Sequence, residues 1–160
     1  MSNELTVFLL RHAPAEAARG GQDDGERALS SRGLEEADAA AAWLVGKTTP
    51  KRAICSPAVR AQQTLQRVIA RTGDIETVTE PSIYEATPGQ LIEVIETHRD
   101  AGHLLLVGHN PGFESVVALL TTGQSGDHRG MPPAGCAVLH FPADAAIEPG
   151  TAQLTAFWSP

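Results

Sequence analysis

Short apolar runs alternate along this chain with longer stretches in which apolar residues recur at helical spacing. That alternation is the mark of a parallel α/β sheet joined by crossover helices, and the order reads β-α-β-α-β-α-β-α-β-β. The first run, Leu5 to Leu10, is almost continuously apolar, as expected of a central strand covered on both faces. Residues Ala13 to Ala28 hold Pro14, Gly20, Gly21, Asp23, Asp24 and Gly25, a breaker-rich stretch of the length usually reserved for functional loops. Ser30 and Ser31 are candidate caps of a helix whose buried stripe takes Leu34, Ala37, Ala41 and Leu44, and Gly46 ends it. A second strand, Arg52 to Cys55, runs into Ser56-Pro57, a cap residue followed by proline at the first helical position. Leu65, Val68 and Ile69 face inward from that helix. A third strand near Glu76 to Thr79 leads through Tyr84 and Glu85 to a helix from about Pro88 to Arg99 carrying Leu91, Val94 and Ile95. Leu104 to Val107 is a fourth strand, and Pro111 starts a helix through Val116, Val117, Leu119 and Leu120. Gly123 to Pro133 reads as loop. Cys136 to Phe141 and Gln153 to Trp158 then close the chain as an antiparallel pair.

The whole chain, 1–160, is expected to form one domain, since a chain of this length can bury roughly 70% of its unfolded surface in a single core. No apolar run approaches the roughly 18 residues needed to cross a bilayer, and no basic leader precedes the first strand. The expectation is a soluble, cytoplasmic protein without a membrane partner. Two cysteines far apart, Cys55 and Cys136, fit a reducing compartment and are expected to be small core residues. Twelve basic residues against nineteen acidic ones give a net charge of −7, and no cluster of Lys or Arg forms the basic face that nucleic acid requires. Only Lys47 and Lys51 are lysines. A local positive site must therefore be built from arginine, whose forked donors suit phosphate and carboxylate.

Three segments place phosphate-handling residues just after a strand: Arg11-His12, Ser56 to Arg60, and Gly108-His109-Asn110. In an open parallel sheet all strand C-termini share one edge, so residues far apart in sequence converge there. Arg60 falls in the first turn of its helix, where free N–H groups and the positive end of the dipole already favour an anion. Two imidazoles and two guanidiniums suit phosphoryl transfer without a metal or other cofactor. One histidine attacks phosphorus as a neutral ring, and the other three groups hold the phosphoryl oxygens. Taken singly, His12, His109 and Arg60 would each read as ordinary structural or solvated residues; it is their joint placement that points to chemistry. His98, His103, His128 and His140 lack such partners and are expected in surface or packing roles.

Three apparent motifs fail on spacing. Cys55 and Arg60 have four intervening residues where a cysteine-phosphatase loop has five, and the glycine-rich cradle is missing. Gly46-Lys47-Thr48 looks like the tail of a P-loop, but the earlier glycine is Ala41 inside a helix. Asp23-Asp24 has no nearby His or third carboxylate at ligand spacing, so the pair is expected to be a solvated loop.

Four motifs in order resemble the histidine phosphatase superfamily, also called phosphoglycerate-mutase-like, and most closely its small SixA-like phosphohistidine phosphatase branch. Leu9-Leu10-Arg11-His12-Ala13 is similar to the L-R-H-G signature, with Ala13 in place of glycine. Asp24-Gly25-Glu26-Arg27-Ala28-Leu29-Ser30 with Gly33 resembles D-x-x-R-x-L-[ST]-x-x-G. Ser56-Pro57-Ala58-Val59-Arg60-Ala61-Gln62-Gln63-Thr64 resembles S-P-x-x-R-A-x-Q-T, and Val107-Gly108-His109-Asn110-Pro111 resembles the second-histidine motif. The resemblance implies a three-layer αβα sandwich with a mostly parallel sheet. It implies His12 as nucleophile and Arg11, Arg60 and His109 as the phosphate pocket, to which Asn110 is added as a phosphate contact. In related branches an acid after the third strand protonates the leaving group; Glu85 is the candidate here, with Glu80 behind it and helix capping as the alternative for Glu85. The implied substrate is a phosphorylated protein carrying phosphohistidine, or a small phosphomonoester. A catalytically silent phosphate-binding module is the rival reading, and a mutase a third.

Overall fold

The structure is a computed structural model and describes residues 3–160. Its centre is one six-stranded sheet of β1 (Leu5–Arg11), β2 (Arg52–Cys55), β3 (Glu76–Thr79), β4 (His103–Gly108), β5 (Cys136–Phe141) and β6 (Gln153–Trp158), in spatial order β3-β2-β4-β1-β5-β6. The first four strands run parallel; β5 pairs antiparallel with β1, and β6 antiparallel with β5. The helices are α1 (Ser31–Val45), α2 (Val59–Thr72), α3 (Pro88–Thr97) and α4 (Gly112–Thr122).

Strand alternation sorts the core into two halves. Leu5, Val7 and Leu9 of β1, with Leu104 and Leu106 of β4, pack with Leu91, Ile95, Phe113, Val116 and Leu120 of α3 and α4. Phe8 and Leu10, with Leu105 and Val107, pack on the opposite face with Ala37, Ala41, Leu44, Leu65 and Val68 of α1 and α2. A period of two on strands buried on both faces thus gives the expected three layers. Among the described residues no helix is long and apolar enough to cross a membrane.

Element boundaries depart from the sequence reading where side chains find other partners. Helix α2 starts at Val59 with Ala58 as its cap, while Ser56 is engaged elsewhere, its N–H bonded to Val107 O at 3.0 Å and its Oγ accepting from the Ala58 N–H at 3.2 Å. Helix α3 stops at Thr97, and a separate 3-10 turn over Arg99–Ala101 carries the chain into β4. On α4 the fully buried stripe is Phe113, Val116 and Leu120, while Val117 and Leu119 are only half-buried. The long β1–α1 loop is tied down by a bridge between Ala15 and Leu29 and contains a 3-10 turn over Asp24–Glu26.

Candidate active site

The parallel register brings the expected residues together. Arg11 at the end of β1 lies opposite Gly108 at the end of β4, and Cys55 at the end of β2 lies opposite Val107. His12, Ser56 and His109, each one residue beyond its strand, therefore meet on a single edge. The turn after β1 is fixed by His12 N–H donating to Gly108 O at 2.9 Å and Ala13 N–H donating to Thr64 Oγ1 at 3.1 Å. Gln63 next to it accepts from the Leu29 N–H at 2.8 Å, which binds the end of the long loop to α2.

His12 Nδ1 lies 2.8 Å from the carbonyl oxygen of Ala13. A carbonyl only accepts, so this contact assigns the ring proton to Nδ1 and leaves a lone pair on Nε2. Arg60 Nε donates towards that Nε2 at 3.4 Å. Burial, reinforced by the positive field of Arg60, Arg11 and Arg27, pulls the His12 pKa down to about 4 despite the opposing pull of the Ala13 carbonyl. At neutral pH the ring is uncharged.

His109 is only 8% exposed and packs with its centroid 5.1 Å from that of His12. Its Nε2 lies 2.7 Å from Ser56 Oγ. That Oγ also accepts from the Ala58 N–H, and the direction of its bond to His109 follows the ring tautomer. Burial, then the charges of His12 and Arg60, lower the His109 pKa to about 3. Arg11 Nη1 donates to Met131 O at 2.7 Å, and burial lowers its pKa against the opposing charge of Glu114. Among the described residues, the buried side-chain nitrogens with no protein partner are Arg11 Nε and His109 Nδ1. Buried polar groups are nearly always paired, so these two nitrogens stand out as polar atoms that the fold itself leaves unused.

Around these four residues lies a shell that sequence reasoning missed. Arg60, with 8% of its side chain exposed, donates from Nη1 to Asp24 O at 2.8 Å and from Nη2 to Asp24 Oδ2 at 2.9 Å. Arg27 Nη1 reaches Asp24 Oδ1 at 2.8 Å, and the Tyr84 hydroxyl also donates to Asp24 Oδ2. Asp24 was expected to be a solvated loop residue; these donors instead hold its carboxyl well below the usual carboxylate range, Tyr84 contributing most. The D-x-x-R segment carried that signal, whereas nothing local marked Tyr84, whose ring stands edge-on to His109 at 5.5 Å and beneath Arg60 at 5.9 Å.

The cleft over the site has a volume of about 370 Å³, and Asp24, Arg60, Tyr84, Glu85, His109 and Asn110 are among its lining residues. Glu85 is exposed on its wall, and the cap of α3 is Thr87, which accepts from Gln90 N–H at 3.2 Å. Glu80 lies away from the cleft and caps the turn at Pro81 by accepting from Ser82 N–H and Oγ. Asn110 reaches the cleft, but its amide donates to Glu114 and Met131 and its Oδ1 accepts from Glu114 N–H. Its side chain thus anchors the turn into α4, a different use from the expected phosphate contact. Away from the site, His98 contacts Arg52, and His128 and His140 lie near Glu114 and Glu4. Cys55 and Cys136 are buried, and burial pushes the Cys55 thiol up to about 12.

A mostly parallel sheet between two helix pairs, with histidine and arginine gathered at its C-terminal edge, defines the phosphoglycerate-mutase-like class of α/β proteins. The chain belongs to the histidine phosphatase superfamily (branch 1), whose sequence pattern matches residues 7–101. An uncharacterised protein of Mycobacterium tuberculosis is 36% identical over 163 residues, covering 94% of this chain and 99% of that one. Phosphohistidine phosphatase SixA of Escherichia coli is 29% identical over 130 residues, covering 76% of this chain and 77% of SixA. A solved structure from Agrobacterium tumefaciens, provisionally named phosphohistidine phosphatase SixA, superposes with a TM-score of 0.86 at 28% identity over 98% of both chains. The family and its SixA-like members support a phosphatase.

Proposed function

We propose that the protein hydrolyses a phosphoryl group through a phosphohistidine intermediate on His12, with phosphohistidine on a protein as its preferred substrate. The observation that carries this reading is the uncharged His12 ring, proton on Nδ1 and lone pair on Nε2, with Arg60 Nε 3.4 Å from that nitrogen and the His109 ring packed beside it. In the first step His12 Nε2 forms a bond to phosphorus while the bond from phosphorus to the leaving nitrogen or oxygen breaks and that atom takes up a proton. Water then attacks the phosphoryl group, the bond to Nε2 breaks, and inorganic phosphate leaves with His12 restored. Arg11, Arg60 and His109 stabilise the charge on the equatorial oxygens throughout, the role a metal ion would otherwise fill.

Similarity to SixA supports the phosphohistidine substrate, as does a cleft open enough for a protein side chain. Glu85 on the cleft wall favours a second reading, a small phosphomonoester whose alkoxide needs a proton. The deciding experiment is turnover of an aryl phosphate and of a phosphohistidine peptide, with and without EDTA, by wild type and His12→Ala. EDTA-insensitive hydrolysis, an acid-labile phosphoenzyme and their loss in the variant are expected. Tight binding of a phosphate analogue without turnover of either substrate would instead support a silent binding module.

A further inference from the structure

The Arg60 guanidinium is used on two sides. Its terminal nitrogens Nη1 and Nη2 both bond Asp24, one to the backbone carbonyl and one to Oδ2, while Nε faces His12 Nε2 at 3.4 Å. A planar group held at two points cannot rotate about its long axis, so the direction of Nε is set by where Asp24 stands. Asp24 is itself held from two elements. Arg27, from the same loop, bonds Oδ1, and Tyr84, from the loop after β3, bonds Oδ2. Glu26 steadies the turn by accepting from the Asp23 N–H at 3.0 Å.

We propose that Asp24, braced by Tyr84, is a positioning residue that aims Arg60 at the point where the phosphoryl group passes to His12. Arg60 keeps N–H donors for that group because a guanidinium has five and Asp24 takes two. The proposal rests on the phosphatase reading above and makes a claim that reading does not need, since a carboxylate bound to the phosphate-binding arginine could equally be a plug that substrate must displace. The two alternatives differ in sign. A positioning carboxylate acts on the chemical step, so its loss lowers kcat; a plug acts on binding, so its loss lowers KM and tightens oxyanion binding.

The test compares wild type with Asp24→Asn, Tyr84→Phe and the double variant. Kinetics use the better of the two substrates named above; orthovanadate binding is followed by calorimetry, and rotation about the Arg60 Nε–Cζ bond by nitrogen-15 NMR. Asp24→Asn should lower kcat on the order of tenfold to a hundredfold with KM within a few fold, as expected for a small misplacement of a reacting group. Tyr84→Phe keeps the ring and should give a smaller loss, with almost no added effect in the Asp24→Asn background. Arg60 rotation should be slow in wild type and faster in Asp24→Asn. Unchanged kcat with lower KM and tighter vanadate binding overturns the proposal in favour of a plug, and so does an Arg60 that rotates equally in both proteins. Absence of turnover in wild type would count against the phosphatase reading alone, because the NMR comparison needs no activity.

Discussion

Ser56 Oγ lies 2.7 Å from His109 Nε2 and, through that one bond, fixes the orientation of a ring whose centroid is 5.1 Å from that of His12. Both residues are buried, so no solvent can replace the bond if it is lost. Ser56→Ala should leave Nε2 unpaired, cost about 1–3 kcal/mol of stability, and free the ring to present the wrong nitrogen. A fall in kcat/KM on the order of tenfold is expected alongside the lower melting temperature. Full activity in a destabilised variant would show that His109 orientation does not depend on Ser56.

Acid should weaken this protein through its own active site. His12 and His109 are held at about 4 and about 3, below the 6.5 of a free imidazole, chiefly by burial. As pH falls from about 6.5 to 4, the unfolded chain binds protons on these rings that the folded chain does not, so stability falls with pH across that window. Asp24, whose folded pKa is depressed, adds its own loss as pH falls through the ordinary carboxylate range and below it. The measurement is the melting temperature from pH 7 to pH 4 in wild type and His12→Asn, with ring resonances titrated by NMR. The decline should be shallower in the variant and the His12 midpoint close to 4; a midpoint near 6.5 would contradict the burial argument.

The long loop after β1 rests on α1 at a point where only glycine fits. A Cβ on Gly33 would stand 1.9 Å from the carbonyl oxygen of Pro14, the same oxygen that accepts from Ser30 N–H at 3.0 Å. Gly33→Ala must therefore move backbone, at a cost of about 1–3 kcal/mol or more, and the loop it moves carries Asp24. Gly46→Ala is the control, because its Cβ would come no closer than 3.4 Å to Trp43 O. Denaturant melts should show a large loss for Gly33→Ala and a small change for Gly46→Ala. Similar losses in both would mean that the loop yields freely.

What could be read from the sequence depended on how local its cause was. The strands and helices follow from side-chain period; Arg11, His12 and His109 could be named because each sits at or next to a strand end, and Arg60 because it opens the following helix, all in recognisable motifs. Ser56 was read as a helix cap because a cap and a buried hydrogen bond to a histidine use the same hydroxyl, and only the β2–β4 register decides between them. Asp24 and Tyr84 lie sixty positions apart and meet only because two loops fold over one sheet edge. No periodicity encodes such a meeting. Asn110 and Glu80 show the converse, polar residues suited to a ligand by type but already engaged in holding their own turns.

Glu85 can be assigned by its dependence on the leaving group. Its loop is pressed against the start of α4, where a Cβ on Gly112 would meet Ala86 O at 2.6 Å, so Glu85 lines the cleft from backbone next to a tight contact. A general acid matters in proportion to the basicity of the departing atom. An alkyl phosphate leaves as a strong base, an aryl phosphate as a weak one, and a phosphohistidine side chain can leave already protonated. Glu85→Gln should therefore slow alkyl phosphate hydrolysis on the order of a hundredfold or more, aryl phosphate hydrolysis far less, and phosphohistidine hydrolysis hardly at all. The slope of log kcat against leaving-group pKa should steepen in the variant. Equal losses on all three substrates would make Glu85 a structural residue of the loop. No loss on the alkyl ester would remove it from proton transfer and strengthen phosphohistidine as the substrate for which this site is built.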